Sequence, residues 1–123
     1  GMKYRHYAPK ADLSIVEGTE EQVIGCINRL SAEAEQKGLK VGVIATNETK
    51  DRYAHADVFS IGSREEEETI AHHLYEVLRN FDDDQVDLIY SEAFYTPRMG
   101  QAIMNRLLKA AGHKIINAQE EKK

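Results

Sequence analysis

Five consecutive residues, Lys3-Tyr4-Arg5-His6-Tyr7, bring together two cations, two phenols and an imidazole. Lysine and arginine neutralise phosphate oxygens, arginine through a bidentate fork. A tyrosine ring stacks on a nucleobase, worth about 1–3 kcal/mol where strand-binding proteins do this. The His6 imidazole can hydrogen-bond a ribose or phosphate oxygen. This set suits a nucleotide site, but its surroundings are not those of a domain core. Gly1 to Lys10 contains Lys3, Arg5 and Lys10 and no acid, in a chain whose formal net charge is -5. Ala8 before Pro9 favours extended backbone, and Pro9 donates no hydrogen bond. Stretched out, ten residues span at most about 33–36 Å, enough to reach a neighbouring domain. The segment therefore reads as an arm. The simpler alternative is a solvated tail whose aromatic rings rest on the chain's own surface.

Elsewhere the chemically capable residues are scattered. His72 and His73 are adjacent on a helix, about 100° apart, and cannot form the i, i+4 pair of a zinc helix. His55 and Asp57 flank an alanine, a weak ligand pattern, and no metal site is expected. Cys26 lies beside a buried helix face with no basic neighbour in sequence and reads as a packed thiol. Gly38-Leu39-Lys40-Val41-Gly42 precedes a strand instead of following one, so it is no dinucleotide fingerprint. P-loop and nucleophile-elbow patterns are also missing. Gly18-Thr19 and Gly62-Ser63 are strand-to-helix junctions that could hold an anion, though capping explains them more simply. The acid runs Glu65 to Glu68 and Asp82 to Asp84 lack calcium-loop spacing and read as solvated surface. A response-regulator receiver is excluded by the lack of an acidic pair after the first strand and of an aspartate ending the third. The folded part shows no catalytic constellation of its own.

The elements that position these residues alternate. Strands are expected at 13–16, 40–45, 58–61, 86–90 and 114–117. The second is apolar on both pleat faces, as a central parallel strand would be. Thr19 with Gln22, and Ser63 with Glu66, have capping-box spacing at the starts of two helices. Val23, Ile27, Leu30 and Ala34 share one helical face; Ile70, Leu74, Val77, Leu78 and Phe81 share another. Gly38 is placed to end the first helix, and Asp82 to Asp84 should fray the second. Thr96-Pro97 fits the cap and first residue of a third, which carries Ile103, Met104, Leu107, Leu108 and Ala111 inward and stops at Gly112.

Five strands alternating with helices predict an α/β three-layer sandwich, a mainly parallel, Rossmann-like sheet with helices on both faces. The preferred strand order is 3-2-1-4-5, with 2-1-3-4-5 as alternative. The preferred order places a topological switch between the first and fourth strands. A crevice lined by Thr19, Ser91, Glu92 and Tyr95 is expected there. The chain divides into an arm, 1–12, a folded domain, 13–118, and a solvated tail, 119–123.

The totals fit one domain of 123 residues, 41% hydrophobic and 30% charged. The acidic pI of about 5.5 argues against direct binding to a nucleic-acid backbone. No apolar run approaches a membrane span, and no signal-peptide pattern is present. A single cysteine excludes an internal disulfide and agrees with a reducing compartment, the cytoplasm.

Three motifs carry a family resemblance. Met2-Lys3-Tyr4-Arg5-His6-Tyr7-Ala8-Pro9, with Gly1 before it, resembles the interdomain linker of the long form of L-threonylcarbamoyladenylate synthase. Leu74-Tyr75-Glu76-Val77-Leu78-Arg79-Asn80-Phe81-Asp82 resembles a Leu-Tyr-x-x-Leu-Arg-x-x-Asp helix of that family's C-terminal domain. The stretch Gly100-Gln101-Ala102-Ile103-Met104-Asn105-Arg106-Leu107-Leu108-Lys109-Ala110-Ala111 is similar to its final helix. One departure is Ala93 to Met99, where the family often has a glycine-rich turn. The resemblance implies that this chain is linker plus C-terminal domain, partnered by an N-terminal catalytic domain. It implies a parent that joins L-threonine, bicarbonate and ATP (with Mg) into threonylcarbamoyl-adenylate for tRNA modification. Lys3, Tyr4, Arg5, His6 and Tyr7 would then cover the nucleotide, with no acid, base or nucleophile here. A stand-alone small-ligand-binding or protein-interaction module is the other expectation.

Overall fold

Five parallel strands alternate with three α-helices in the computed structural model, which describes residues 9–119. The arm residues Lys3, Tyr4, Arg5, His6 and Tyr7 lie outside the described residues, as does the end of the tail from position 120. In chain order the elements are β1 (Asp12–Glu17), α1 (Glu20–Gln36), β2 (Val41–Ala45), β3 (Asp57–Ser60), α2 (Glu67–Asp84), β4 (Leu88–Glu92), α3 (Gly100–Ala110) and β5 (Ile115–Asn117). A single turn of 3-10 helix, Lys50–Arg52, interrupts the β2–β3 connection.

The sheet order is β3-β2-β4-β1-β5, and every pairing is parallel. The expected orders 3-2-1-4-5 and 2-1-3-4-5 are thus both corrected. β4 is inserted between β2 and β1 and takes the centre of the sheet. Its seat beside β2 is fixed where the two strands begin. The Lys40 carbonyl accepts from Asp87 N at 2.7 Å and Leu88 N at 3.2 Å, and Asp87 Oδ2 accepts from Lys40 N at 2.8 Å. These backbone and carboxylate contacts are invisible to a hydrophobic pattern, which sees only that β1, β2 and β4 are all apolar.

Pleat alternation sends the strand residues to two cores. Leu13, Ile15, Ile44 and Ile89 pack with α2 and α3 on one face; Val16, Val41, Val43 and Ala45 pack with α1 on the other. Helices therefore cover both faces, as expected of three layers. Close packing of α2 onto β2 requires Gly42: a Cβ there would stand 2.5 Å from Phe81 Cε1. Phe81 is fully buried and packs edge-on against Phe59, with ring centroids 4.7 Å apart.

Helix ends partly follow the sequence reading. Thr19 and Gln22 form the capping box of α1. Gly38, at φ +82°, completes the C-terminal motif in which Leu39 N donates to Ala34 O and Gly38 N to Glu35 O. Gly112 does the same for α3, with His113 N donating to Leu108 O at 2.8 Å. Two starts are corrected. α2 begins after Glu66, which makes no side-chain cap, because Ser63 Oγ is taken by Asn47 Nδ2 at 3.2 Å. α3 begins at Gly100 instead of Pro97, because the Thr96 hydroxyl is bonded to Glu67. The expected fraying at 82–84 also does not occur. Asp84 pairs with Lys40 Nζ at 3.1 Å, and Asp82 Oδ1 accepts from Lys10 N at 2.9 Å, which offsets the unfavourable helix dipole.

Candidate functional site

The carboxyl ends of parallel strands are where open α/β sheets place ligands. Here β1 and β4 are neighbours, and a cavity of about 230 Å³ opens beyond their ends. Val16 and Val23 contribute its apolar wall; Glu20, Arg64, Glu92 and Tyr95 its polar one.

Glu92 is the key group. Along β4, Leu88, Tyr90 and Glu92 alternate to the α1 face, so the last residue brings a carboxylate into the interior. It is 3% exposed and fully served by donors. Thr49 Oγ1 donates to Oε2 at 2.5 Å, Tyr53 OH donates to Oε2 at 2.6 Å, and an Arg64 Nη donates to Oε1 at 2.8 Å. Burial, then the charge of Glu92, push the Tyr53 phenol well up, so it stays a donor. Arg64 is fixed twice more. Its other Nη donates to Ala93 O at 3.0 Å, and its guanidinium lies 4.9 Å from the centre of the Phe94 ring.

Thr49 and Tyr53 arrive through the β2–β3 connection, which is tied to α1. Arg52 makes a two-pronged pair with Glu21, both contacts at 2.9 Å, and Asn28 bonds Arg52 O and Ala54 N. The other rim is the loop from Ala93 to Met99. Buried Glu67 holds it, accepting from Met99 N, from Thr96 Oγ1 at 2.8 Å and from Arg98 N at 3.2 Å. The Met99 N–H above all, then Thr96 and Arg98, keep the Glu67 carboxyl below its ordinary range despite its burial. That loop presents Tyr95, whose hydroxyl donates to Glu17 Oε2 and is pushed up to about 12 by that bond.

Of the four crevice residues named from sequence, Glu92 and Tyr95 line the cavity. Thr19 and Ser91 do not. Thr19 Oγ1 is engaged by Gln22 N at 3.2 Å, and Ser91 faces the opposite core, its Oγ donating to Glu92 O at 2.8 Å. Arg64, Thr49 and Tyr53 carry no sequence signal of this role. The one available clue is the acid placed in register with Leu88 and Tyr90, which needs buried donors. Among the histidines, exposed His55 bonds Glu35 through Nδ1 at 2.7 Å, and His72 and His73 have ring centroids 5.4 Å apart. Among the described residues, no group of three His, Cys, Asp or Glu is placed to hold a metal, and no helix is long and apolar enough to cross a membrane. None of the described residues lining the cavity pairs a nucleophile with a base.

Comparison with known proteins agrees with this geometry. Residues 1–112 match the family model described as threonylcarbamoyl-AMP synthase, C-terminal domain. The chain is 47% identical over 116 residues to the threonylcarbamoyl-AMP synthase of Bacillus subtilis, covering 94% of this chain and 32% of that protein. It superposes on Pyrococcus abyssi Sua5, solved in complex with L-threonine, with TM-score 0.80 and 42% identity, over 95% of this chain and 33% of that one. A separately solved C-terminal Sua5 domain from Pyrococcus horikoshii is similar over 99% of its length, with TM-score 0.69 and 36% identity, covering 89% of this chain. The chain spans about a third of the length of the curated relatives it matches. It belongs to the family of threonylcarbamoyl-AMP synthase C-terminal domains.

Proposed function

We propose that this chain is the anchor and the substrate-covering arm of an ATP-dependent L-threonylcarbamoyladenylate synthase, with the chemistry carried by an N-terminal catalytic domain. The observation that supports this reading is the family match, which covers residues 1–112 and so takes in the arm residues with most of the folded body. Local structure supports an anchored arm. Pro9 is buried and Lys10 N donates to Asp82 Oδ1, so the point of departure from the domain is held. In this reading the arm is the stretch before β1, which begins at Asp12, and the folded body runs from β1 to β5.

In this reading Lys3, Tyr4, Arg5, His6 and Tyr7 close over ATP (with Mg), L-threonine and bicarbonate held by the partner domain. Cations meet phosphate, and a tyrosine meets the base or seals the opening. Closure excludes water, which matters because a carbamate and a mixed anhydride both hydrolyse readily. The site of action is the cytoplasm, which suits a protein with a single, buried cysteine.

The test is Tyr7→Ala in the full-length synthase, numbered as in this sequence. Pyrophosphate release from ATP in the presence of L-threonine and bicarbonate should fall by about tenfold or more, a loss of roughly 1.4 kcal/mol of transition-state stabilisation. The melting temperature of the folded body should not move. Unaltered turnover refutes the covering role.

A further inference from the structure

We propose that the cavity beyond β1 and β4 binds a free small α-amino acid, its carboxylate on Arg64 and its ammonium on Glu20. This goes beyond the covering-arm reading and uses none of the arm's residues. Size narrows the ligand first. At about 230 Å³ the cavity lies below the roughly 300–1,000 Å³ of drug-sized sites. An amino acid fits within it, whereas a nucleoside triphosphate would have to extend well beyond it.

Charge narrows it further. Among the described residues, Arg64 spends two N–H groups on Glu92 and Ala93, out of five that a guanidinium offers. Its side chain is 36% exposed while Glu92 is 4% exposed. The buried carboxylate and the Phe94 ring therefore fix the guanidinium plane and leave its outer edge available at the cavity wall. A carboxylate matches that edge in a planar, two-pronged pair. Glu92 already neutralises Arg64, and Glu20 adds a further negative charge to the lining. Polyphosphate would be repelled by this balance. A simple amine would leave the Arg64 edge unused. A zwitterion satisfies both walls at no net charge. Val16 and Val23 give an aliphatic side chain an apolar surface.

Isothermal titration of the 123-residue chain tests this. L-Threonine and L-valine should bind saturably at millimolar concentration, whereas N-acetyl-L-valine and L-valinamide, each lacking one charge, should not. Exposed Glu20→Gln should weaken binding about tenfold without changing the melting temperature. Arg64→Lys, which keeps a cation beside Glu92 but loses the fork, should weaken it with the fold intact by circular dichroism. The proposal is overturned by any of three results: no saturable heat with either free amino acid, equal binding of the blocked analogues, or binding confined to pyrophosphate. None of these results bears on Tyr7→Ala turnover, so this inference and the covering-arm reading fail separately.

Discussion

If Glu92 is the keystone of the cavity, truncating it should expose a specific dependence in Tyr53. The carboxylate is 3% exposed and takes three donors, two of them from buried residues. Removing one partner of such a buried group costs about 3–5 kcal/mol. Two features place Glu92→Ala near the lower end. Arg64 is about one-third exposed, so water can replace its lost partner, and Thr49 Oγ1 has Thr46 Oγ1 at 3.1 Å as a second contact. Tyr53 has no such alternative among the described residues: it is 9% exposed and its hydroxyl bonds Glu92. In the native background Tyr53→Phe removes one bond to a charged acceptor, about 1.5–3 kcal/mol. In the Glu92→Ala background the same change removes an unpaired buried hydroxyl, so it should be neutral or stabilising by about 1 kcal/mol. The coupling is then roughly 1.5–4 kcal/mol, in and somewhat above the upper part of the range for directly bonded pairs. Urea unfolding of the four proteins reads it directly. Glu92→Ala should lower the midpoint by roughly 1–3 M at unchanged slope, a large part of a stability of about 5–15 kcal/mol. A Tyr53→Phe cost that is the same in both backgrounds refutes the network, as does a Glu92→Ala cost below about 0.5 kcal/mol, the value for an ordinary surface carboxylate.

Gly42→Ala should destabilise by about 1–3 kcal/mol or more, because its Cβ would meet the buried Phe81 ring at 2.5 Å. Phe81→Leu added to it should restore part of the urea midpoint. Glu67→Gln should lower the melting temperature and flatten its acid limb. The folded-state Glu67 carboxyl is held below its ordinary value, so its contribution is complete above that value and is lost as pH falls through the folded one. A melting profile between pH 3 and pH 7 whose shape is unchanged by Glu67→Gln contradicts this. At the alkaline end the sign reverses. The Tyr95 phenol is raised from about 10 to about 12, so the Tyr95–Glu17 bond contributes fully below the lower value and is lost between the two. Tyr95→Phe should remove that tyrosine's step from an ultraviolet titration.

What the sequence could and could not tell follows from the range of the forces involved. Periodicity is local, so Val23, Ile27 and Ala34 reveal α1, and Ile70, Leu74 and Phe81 reveal α2. The Thr19 and Gln22 cap needs only neighbouring backbone and is equally legible. Thr96-Pro97 misleads because a distant group outbids the local one. The Thr96 hydroxyl is taken by Glu67, 29 residues away, and the backbone of Phe94 and Tyr95 lies so close to Gly100 that a Cβ there would be 3.0 Å from Phe94 O. Strand order is the most distant property of all. β4 sits between β2 and β1 because Asp87 meets Lys40 across 47 residues, and no periodicity encodes that meeting.

Yet the wrong order does not displace the crevice. Orders 3-2-1-4-5 and 3-2-4-1-5 both make β1 and β4 neighbours, and parallel pairing puts the loops after them at the same end of the sheet. Location is therefore robust to an error that would otherwise redraw the fold. Composition is not. Thr19 lies in the expected loop but spends its hydroxyl on Gln22 N, and Ser91 lies within β4 and faces the other core, since a strand residue's face depends on where the strand ends. Extending β4 from Tyr90 to Glu92 keeps Ser91 in the pleat and turns it to the face covered by α2 and α3, while Glu92 turns to the α1 face. Arg64 comes from beyond β3 and reaches Glu92 only because β3, β2 and β4 are consecutive in the sheet. With β1 between β2 and β4, Arg64 and Glu92 would stand one strand further apart, close to 5 Å at the spacing of neighbouring strands. The corrected order is thus what makes the Arg64–Glu92 pair possible, and with it the charge arrangement that selects the cavity's ligand.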